Sequence, residues 1–329
     1  MKRKSIFAIF TLFLSLSFVL AACGGTEEES KSEENGGQEG GTAEETEQAE
    51  NVTVEHAMGE TEVPAEPKRV VILTNEGTEA LLSMDVTPAG AVQSWTGDPW
   101  YDHIKDQMKD VENVGTESQV NLEAIAKLEP DLIIGNKMRQ EEIYPQLEAI
   151  APTVFAETLR GNWKENFELY SKAVNKEEKG QQVLDDYQAR IENIREEAGE
   201  NLKKEVSIVR FMPGDARIYH KDSFSGVILE EIGFARPESQ DKEDFAEKNA
   251  TKERIPAMDG DVIFYFTYET GDGEGLANEK EWVNDPLWQN LSAVQEGNVH
   301  KVDDAIWNTA GGVIAANLML DDVEKYLVE

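Results

Sequence analysis

The arginines of this 329-residue chain are the side chains whose placement most directly implies chemistry. Arg210 stands inside the apolar run Val206-Ser-Ile-Val-Arg-Phe211, between Val209 and Phe211. A guanidinium at the end of such a strand needs an anionic partner or an aqueous cleft. Its fork can donate two parallel hydrogen bonds to a planar carboxylate. Arg217, in Arg217-Ile-Tyr219, follows after a Met-Pro-Gly-Asp turn, and Arg139 with Lys137 follows the run Leu132–Ile134 in Gly135-Asn136-Lys137-Met138-Arg139. An internal ion pair is the competing use of each arginine. Aromatic residues sit at similar places: Trp95 among turn formers, Tyr219, Tyr268 after Val262–Phe266, and Trp307-Asn308 after Lys301-Val302. An apolar cleft with a few convergent cationic groups holds a small anionic molecule. Catalysis is not expected. The chain has no Gly-x-Ser-x-Gly elbow, phosphate loop or Gly-x-Gly-x-x-Gly run. Its four histidines, His56, His103, His220 and His300, are not paired at helical spacing, which argues against a zinc or manganese site.

The elements that must position these side chains repeat along the chain. Each half opens with a short β-branched strand, Arg69–Leu73 and Val206–Phe211, and passes into a helix, Glu76–Met84 and Phe224–Ile232. The stretches Asn121–Gly135 and Thr251–Phe266 then read as helix, tight turn and buried strand. Amphipathic helices follow at Tyr144–Ile150 and Pro286–Val294, with closing strands at Thr153–Phe155 and Val299–Val302. Between the halves, Trp163, Phe167, Tyr170 and Val174, then Val183, Leu184, Tyr187, Ile191 and Ile194, recur at helical spacing. Residues 180–200 are expected to form one linking helix. The fold class is therefore α/β with two lobes, each a mostly parallel sheet flanked by helices, joined by a single long helix. The N-terminal lobe is expected at 52–158, the helical connector at 159–204 and the C-terminal lobe at 205–329. One rigid crossing implies that the lobes open and close through a small angle. Open α/β sheets bind ligands beyond the carboxyl ends of their strands, so the loops after Leu73, Val92, Ile134, Phe211 and Phe266 should face one cleft.

The front of the chain has a different composition. Lys2, Arg3 and Lys4 precede the apolar stretch Ile6–Leu20, and Leu20-Ala21-Ala22-Cys23 resembles the lipobox of bacterial lipoproteins. Residues 1–22 are expected to be a signal peptide, with lipid on Cys23, the only cysteine in the chain. From there to residue 51 runs an acidic tether with ten glutamates against Lys31, too polar to bury a core. Of the total charge of −35, the folded body carries −29. That charge argues against nucleic acid and anionic lipid surfaces as partners, because a phosphate backbone would be repelled. The expected location is the extracytoplasmic face of the cell membrane, as a lipid-anchored monomer.

The body resembles the ferric-siderophore substrate-binding lipoproteins of bacterial ABC importers, within the wider iron and cobalamin solute-binding family. The resemblance spans about Val70 to Leu327. It rests on Pro67–Leu73, Asn121–Ile134, Asp285-Pro-Leu-Trp-Gln-Asn-Leu291 and Gly297–Val302. It implies a class III periplasmic-binding-protein-like fold. Lys137-Met-Arg139, Arg217-Ile-Tyr219 and Ile306-Trp-Asn308 look most like receptors for citrate-based siderophores of the schizokinen and staphyloferrin kind. The resemblance then implies that Arg139, Arg210 and Arg217 hold an anionic ferric complex. Iron would be wrapped by siderophore oxygens, with no intrinsic cofactor and no metal ligand from the protein. Haem or cobalamin is the alternative cargo. It also implies that one acid on each lobe docks to arginines of the membrane permease. Glu79 matches the first position, and the second falls at Glu230 or Glu231.

Overall fold

Short runs of fully buried Val, Ile and Leu set two sheets in the computed structural model, which describes residues 51–328. The expected signal, Cys23 and nearly all of the tether lie outside the described residues. The first lobe begins with an antiparallel hairpin, β1 (Val52–His56) and β2 (Gly59–Val63). Then follow β3 (Val70–Ile72), α1 (Asn75–Ser83), β4 (Gly90–Ala91) and β5 (Glu112–Asn113). A small hairpin, β6 (Gly115–Thr116) and β7 (Gln119–Val120), precedes α2 (Leu122–Lys127) and β8 (Leu132–Asn136). The lobe closes with α3 (Lys137–Gln140), α4 (Tyr144–Glu148) and β9 (Thr153–Ala156). Its five-stranded sheet has the order β5-β4-β3-β8-β9 and is parallel throughout.

Two helices carry the chain onward, α5 (Trp163–Ala173) and α6 (Glu177–Ala198). The second lobe contains β10 (Val206–Met212), β11 (Asp215–Tyr219), α7 (Phe224–Ile232), β12 (Ala246–Glu247) and β13 (Val262–Thr267). It continues through α8 (Glu274–Val283), α9 (Pro286–Gln289), α10 (Ser292–Glu296), β14 (Val299–Lys301) and α11 (Val313–Val323). Here the order is β12-β11-β10-β13-β14, with β10, β13 and β14 parallel and β11 and β12 antiparallel.

The long linking helix is present, with 22 residues spanning about 33 Å. Tyr187, Ile191, Ile194 and Ala198 form its buried stripe. Its polar residues reach two helices of the second lobe. Tyr187 Oη donates to Glu231 at 2.9 Å, and Arg190 donates to the Asn317 carbonyl at 3.0 Å and to Asp321 at 2.7 Å. One hydrophobic core runs from Val70 and Ile72 through Tyr170, Tyr187 and Ile191 to Val206, Ile228 and Met319. The described residues accordingly fall in one compact unit, and each sheet adds a smaller cluster on its other face.

Two local expectations change. The helix expected over Pro286–Val294 is broken into α9 and α10, because Asp259 begins a second helix inside it. The Asp259 carboxylate accepts from the backbone N–H of Ser292 at 2.9 Å and of Ala293 at 3.2 Å, satisfying donors that a continuous helix would have used internally. The helix before β13 is a 3₁₀ stretch, Lys252–Met258, where Pro256 removes a backbone donor.

Glu79 is not a surface acid. It is fully buried, with Oε1 against His103 Nε2 and Oε2 accepting from the backbone N–H of Ala315 at 2.9 Å. Ala315 lies in the first turn of α11, so Glu79 caps that helix from across the molecule, where a carboxylate also faces the positive end of the helix dipole. A side chain fixed in this way is not available to a docking partner. Replacing Glu79 with Ala leaves buried donors unpaired and is expected to destabilise the fold by about 1–3 kcal/mol. Urea unfolding checks this, and an unchanged midpoint would show that the cap contributes nothing.

Candidate ligand-binding site

A cavity of about 400 Å³ opens beyond the carboxyl ends of β3, β8, β9, β10 and β13. Each contributing segment is placed by its own local structure. Thr74 caps α1 through the Gly77 N–H at 3.1 Å, and a Cβ on Gly77 would lie 2.4 Å from Ile72, so glycine lets the helix sit against the sheet. This sets Glu76 on the cavity wall. Asn136 caps α3 through the Met138 N–H at 2.9 Å and so directs Met138 and Arg139 to the same wall. From the second lobe come Arg210, Met212, Arg217, Tyr219 and Tyr268, with Asn308 and Thr309 from a π-helical turn at Ala305–Thr309.

All three sequence-predicted arginines line this cavity, and each also has a carboxylate of the protein beside it. Arg210 and Arg217 are directly paired across β10 and β11, a like-charge arrangement that is unfavourable unless each is compensated. Arg210 donates through Nε to Asp304 Oδ1 at 2.6 Å and through Nη2 to Oδ2 at 2.9 Å, with its guanidinium 5.0 Å from the Tyr268 ring centre. Arg217 Nε pairs with Asp215 at 3.1 Å. Arg139 is more open, 3.5 Å from Glu117 and 5.7 Å from the Trp95 ring centre. The competing internal use of the arginines is therefore realised, most fully for buried Arg210, while their place on the wall is kept.

The other expected residues divide. Trp95, Tyr219, Tyr268 and Asn308 line the cavity, and Tyr268 Oη lies 3.4 Å from the Trp95 carbonyl, joining the lobes across its edge. Trp307 is fully buried instead, stacked on Phe264 at 4.5 Å and donating to Asp322 at 2.9 Å. Lys137 turns to Glu157 at 2.8 Å and is not among the lining residues. Glu231 is held by Lys164 and Tyr187, whereas Glu230 is 52% exposed beside Lys221.

Sequence reasoning missed two cations, Arg160 and Lys248, with Phe245 between them in the chain. Arg160 lies four residues past the end of β9, a strand end to which the rule of ligands at carboxyl ends applies equally. Lys248 follows the two-residue strand β12 and carries no comparable pattern. The cavity wall thus holds five cationic side chains and two carboxylates, Glu76 and Glu117.

Both carboxylates are buried, and burial pushes both up. Glu76 Oε1 accepts from Asn166 at 2.7 Å and Tyr170 at 2.8 Å, yet desolvation raises its pKa to about 8. Burial likewise raises Glu117 despite donors from Asn75 and the charge of Arg139. At neutral pH the Glu76 carboxyl is mostly neutral, so it does not cancel the cationic wall. The sign for stability follows. A carboxyl held near 8 in the folded state, against an ordinary 4.5, gives stability present below pH 4.5 and lost as pH rises through 8. Stability, followed by thermal unfolding, is expected to fall across that window by up to about 1.4 kcal/mol per pH unit. Glu76→Gln should flatten the profile; a wild-type profile already flat would contradict the assignment.

Two α/β lobes on a helical crossing, enclosing one cationic cavity, define a two-lobed solute-binding protein. The chain belongs to the periplasmic binding protein family, whose profile matches residues 70–305. That family is one of substrate-binding proteins, not enzymes. The chain is 50% identical over 337 residues, covering 99% of both proteins, to the "Probable siderophore-binding lipoprotein YfiY" of Bacillus subtilis (strain 168). It is 31% identical over 264 residues to the achromobactin-binding periplasmic protein of Dickeya dadantii (strain 3937), covering 79% of this chain and 86% of that one. Among solved structures it is similar to Staphylococcus aureus SirA complexed with staphyloferrin B. The TM-score is 0.77 at 35% identity, over 84% of this chain and 98% of that chain. Among the described residues, no group of three or more His, Cys, Asp or Glu is placed to hold a metal ion.

Proposed function

We propose that this protein captures a ferric siderophore of the citrate-based carboxylate or hydroxamate kind and delivers it to an ABC permease in the membrane. The observation that carries this reading is charge. Five cationic side chains line one cavity in a chain whose net charge is −35, a local reversal that favours an anionic guest. Siderophore oxygens would enclose the iron, which is consistent with a wall of hydrogen-bond donors and aromatic faces. The names of the relatives support the same cargo class. The word lipoprotein in the name of the Bacillus subtilis relative, aligned over 99% of this chain, supports lipid on Cys23 and an extracytoplasmic location. No described helix is long and apolar enough to cross a membrane. With Glu79 buried and Glu231 held by Lys164 and Tyr187, the exposed Glu230 is the acid available to the permease, and a monomer is the expected form.

Trp95 on the wall provides the readout. Tryptophan fluorescence is to be titrated with ferric citrate-type, hydroxamate and catecholate siderophores, haemin and cobalamin. Saturable quenching by a citrate-type complex is expected, and Arg217→Gln should weaken it by about 1.5–3 kcal/mol, the usual worth of a charge-assisted bond. Binding confined to haemin, with a new Soret band, or to cobalamin would replace this reading with the alternative cargo.

A further inference from the structure

Among the five cavity cations, charge compensation is uneven. Arg139, Arg210 and Arg217 each have a carboxylate within ion-pair distance. Neither the Arg160 guanidinium nor the Lys248 ammonium makes an ion pair or a hydrogen bond to any described residue. Both instead rest on one ring: the Arg160 guanidinium lies 4.3 Å and the Lys248 ammonium 5.5 Å from the Phe245 ring centre. Tyr219 steadies that ring edge-on at 5.1 Å. A cation over an aromatic face makes no conventional hydrogen bonds to it, so the N–H donors of both groups stay open. Two positive charges gathered at one ring also repel each other, and an anion between them would relieve this. The backbone adds an independent sign. Arg160 has φ +86°, a left-handed conformation unfavourable for a residue with a side chain and typical of ligand clamps. Glycine would fit there without strain, yet the position carries arginine.

We propose that Arg160 and Lys248, gathered on Phe245, form a carboxylate-binding subsite of the cavity that takes an outlying carboxylate of the bound molecule. Only the identity of that molecule as a ferric chelate rests on the function proposed above. Arg160 follows the first sheet and Lys248 belongs to the second lobe, so one bound carboxylate would tie the two together. The three compensated arginines still donate hydrogen bonds to the guest and shape the wall, while the uncompensated positive charge comes from this pair.

The test uses the full-length protein, its Arg160→Gln, Lys248→Gln and double variants, and Lys127→Gln as a control at an exposed lysine paired with Glu123. Ferric staphyloferrin B and iron-free citrate are titrated separately by fluorescence. Each single change is expected to weaken ferric staphyloferrin B about 10-fold or more, and the double change about 100-fold or more, with the control unchanged. Arg160→Gly should bind as weakly as Arg160→Gln while melting no lower than wild type, which a merely structural arginine would not do. A double variant that binds ferric staphyloferrin B as tightly as wild type overturns the subsite. If wild type binds no ferric siderophore, the cargo reading fails and citrate decides the subsite. Saturable citrate binding lost in the double variant supports it, whereas equal or absent citrate binding overturns it.

Discussion

Positive charges drawn together away from bulk water must be matched, and the way this protein matches them organises its site. Three of the cavity arginines are balanced from within, by Asp304, Asp215 and Glu117. The buried Arg210–Asp304 pair adds little net stability, but breaking it strands a charge, so it fixes geometry more than it attracts a guest. The two groups at Phe245 are left unbalanced, and Glu76, mostly neutral near pH 7, does not offset them. An acidic molecule thereby keeps a region that is locally basic.

The fold makes that region possible by bringing strand ends from two sheets to one place. Alternating strands and helices bring the carboxyl ends of both sheets to one cavity, and α11 returns from the second lobe to lie against α1. The Glu79 cap on α11 and the continuous core through Tyr170, Tyr187 and Met319 hold the halves as one body. Tyr268 then meets Trp95 across the cavity edge.

Much of this was legible in the sequence because it is written in periodicity. Runs such as Leu132–Ile134 and Val262–Phe266 have no stable place except a buried strand, and the spacing of Tyr187, Ile191 and Ile194 has none except a helix. The convergence of Arg139, Arg210 and Arg217 followed from strand ends. Their carboxylate partners did not, because Asp304 is 94 residues from Arg210 and one acid among sixty-six carries no mark of its partner. Glu79 looked like a surface helix residue for the same reason: its burial depends on α11, more than two hundred residues away. Arg160 was within reach of the strand-end rule, whereas Lys248 depends on an irregular loop meeting the cavity.

The most direct test of the account is anomalous diffraction at the iron edge from crystals of the protein grown with ferric staphyloferrin B. The account predicts one iron peak inside the cavity, coordinated only by siderophore oxygens, with a carboxylate of the chelate on Arg160 and Lys248. Iron bound outside the cavity, or ligated directly by a protein oxygen such as that of Glu76 or Tyr268, would contradict it.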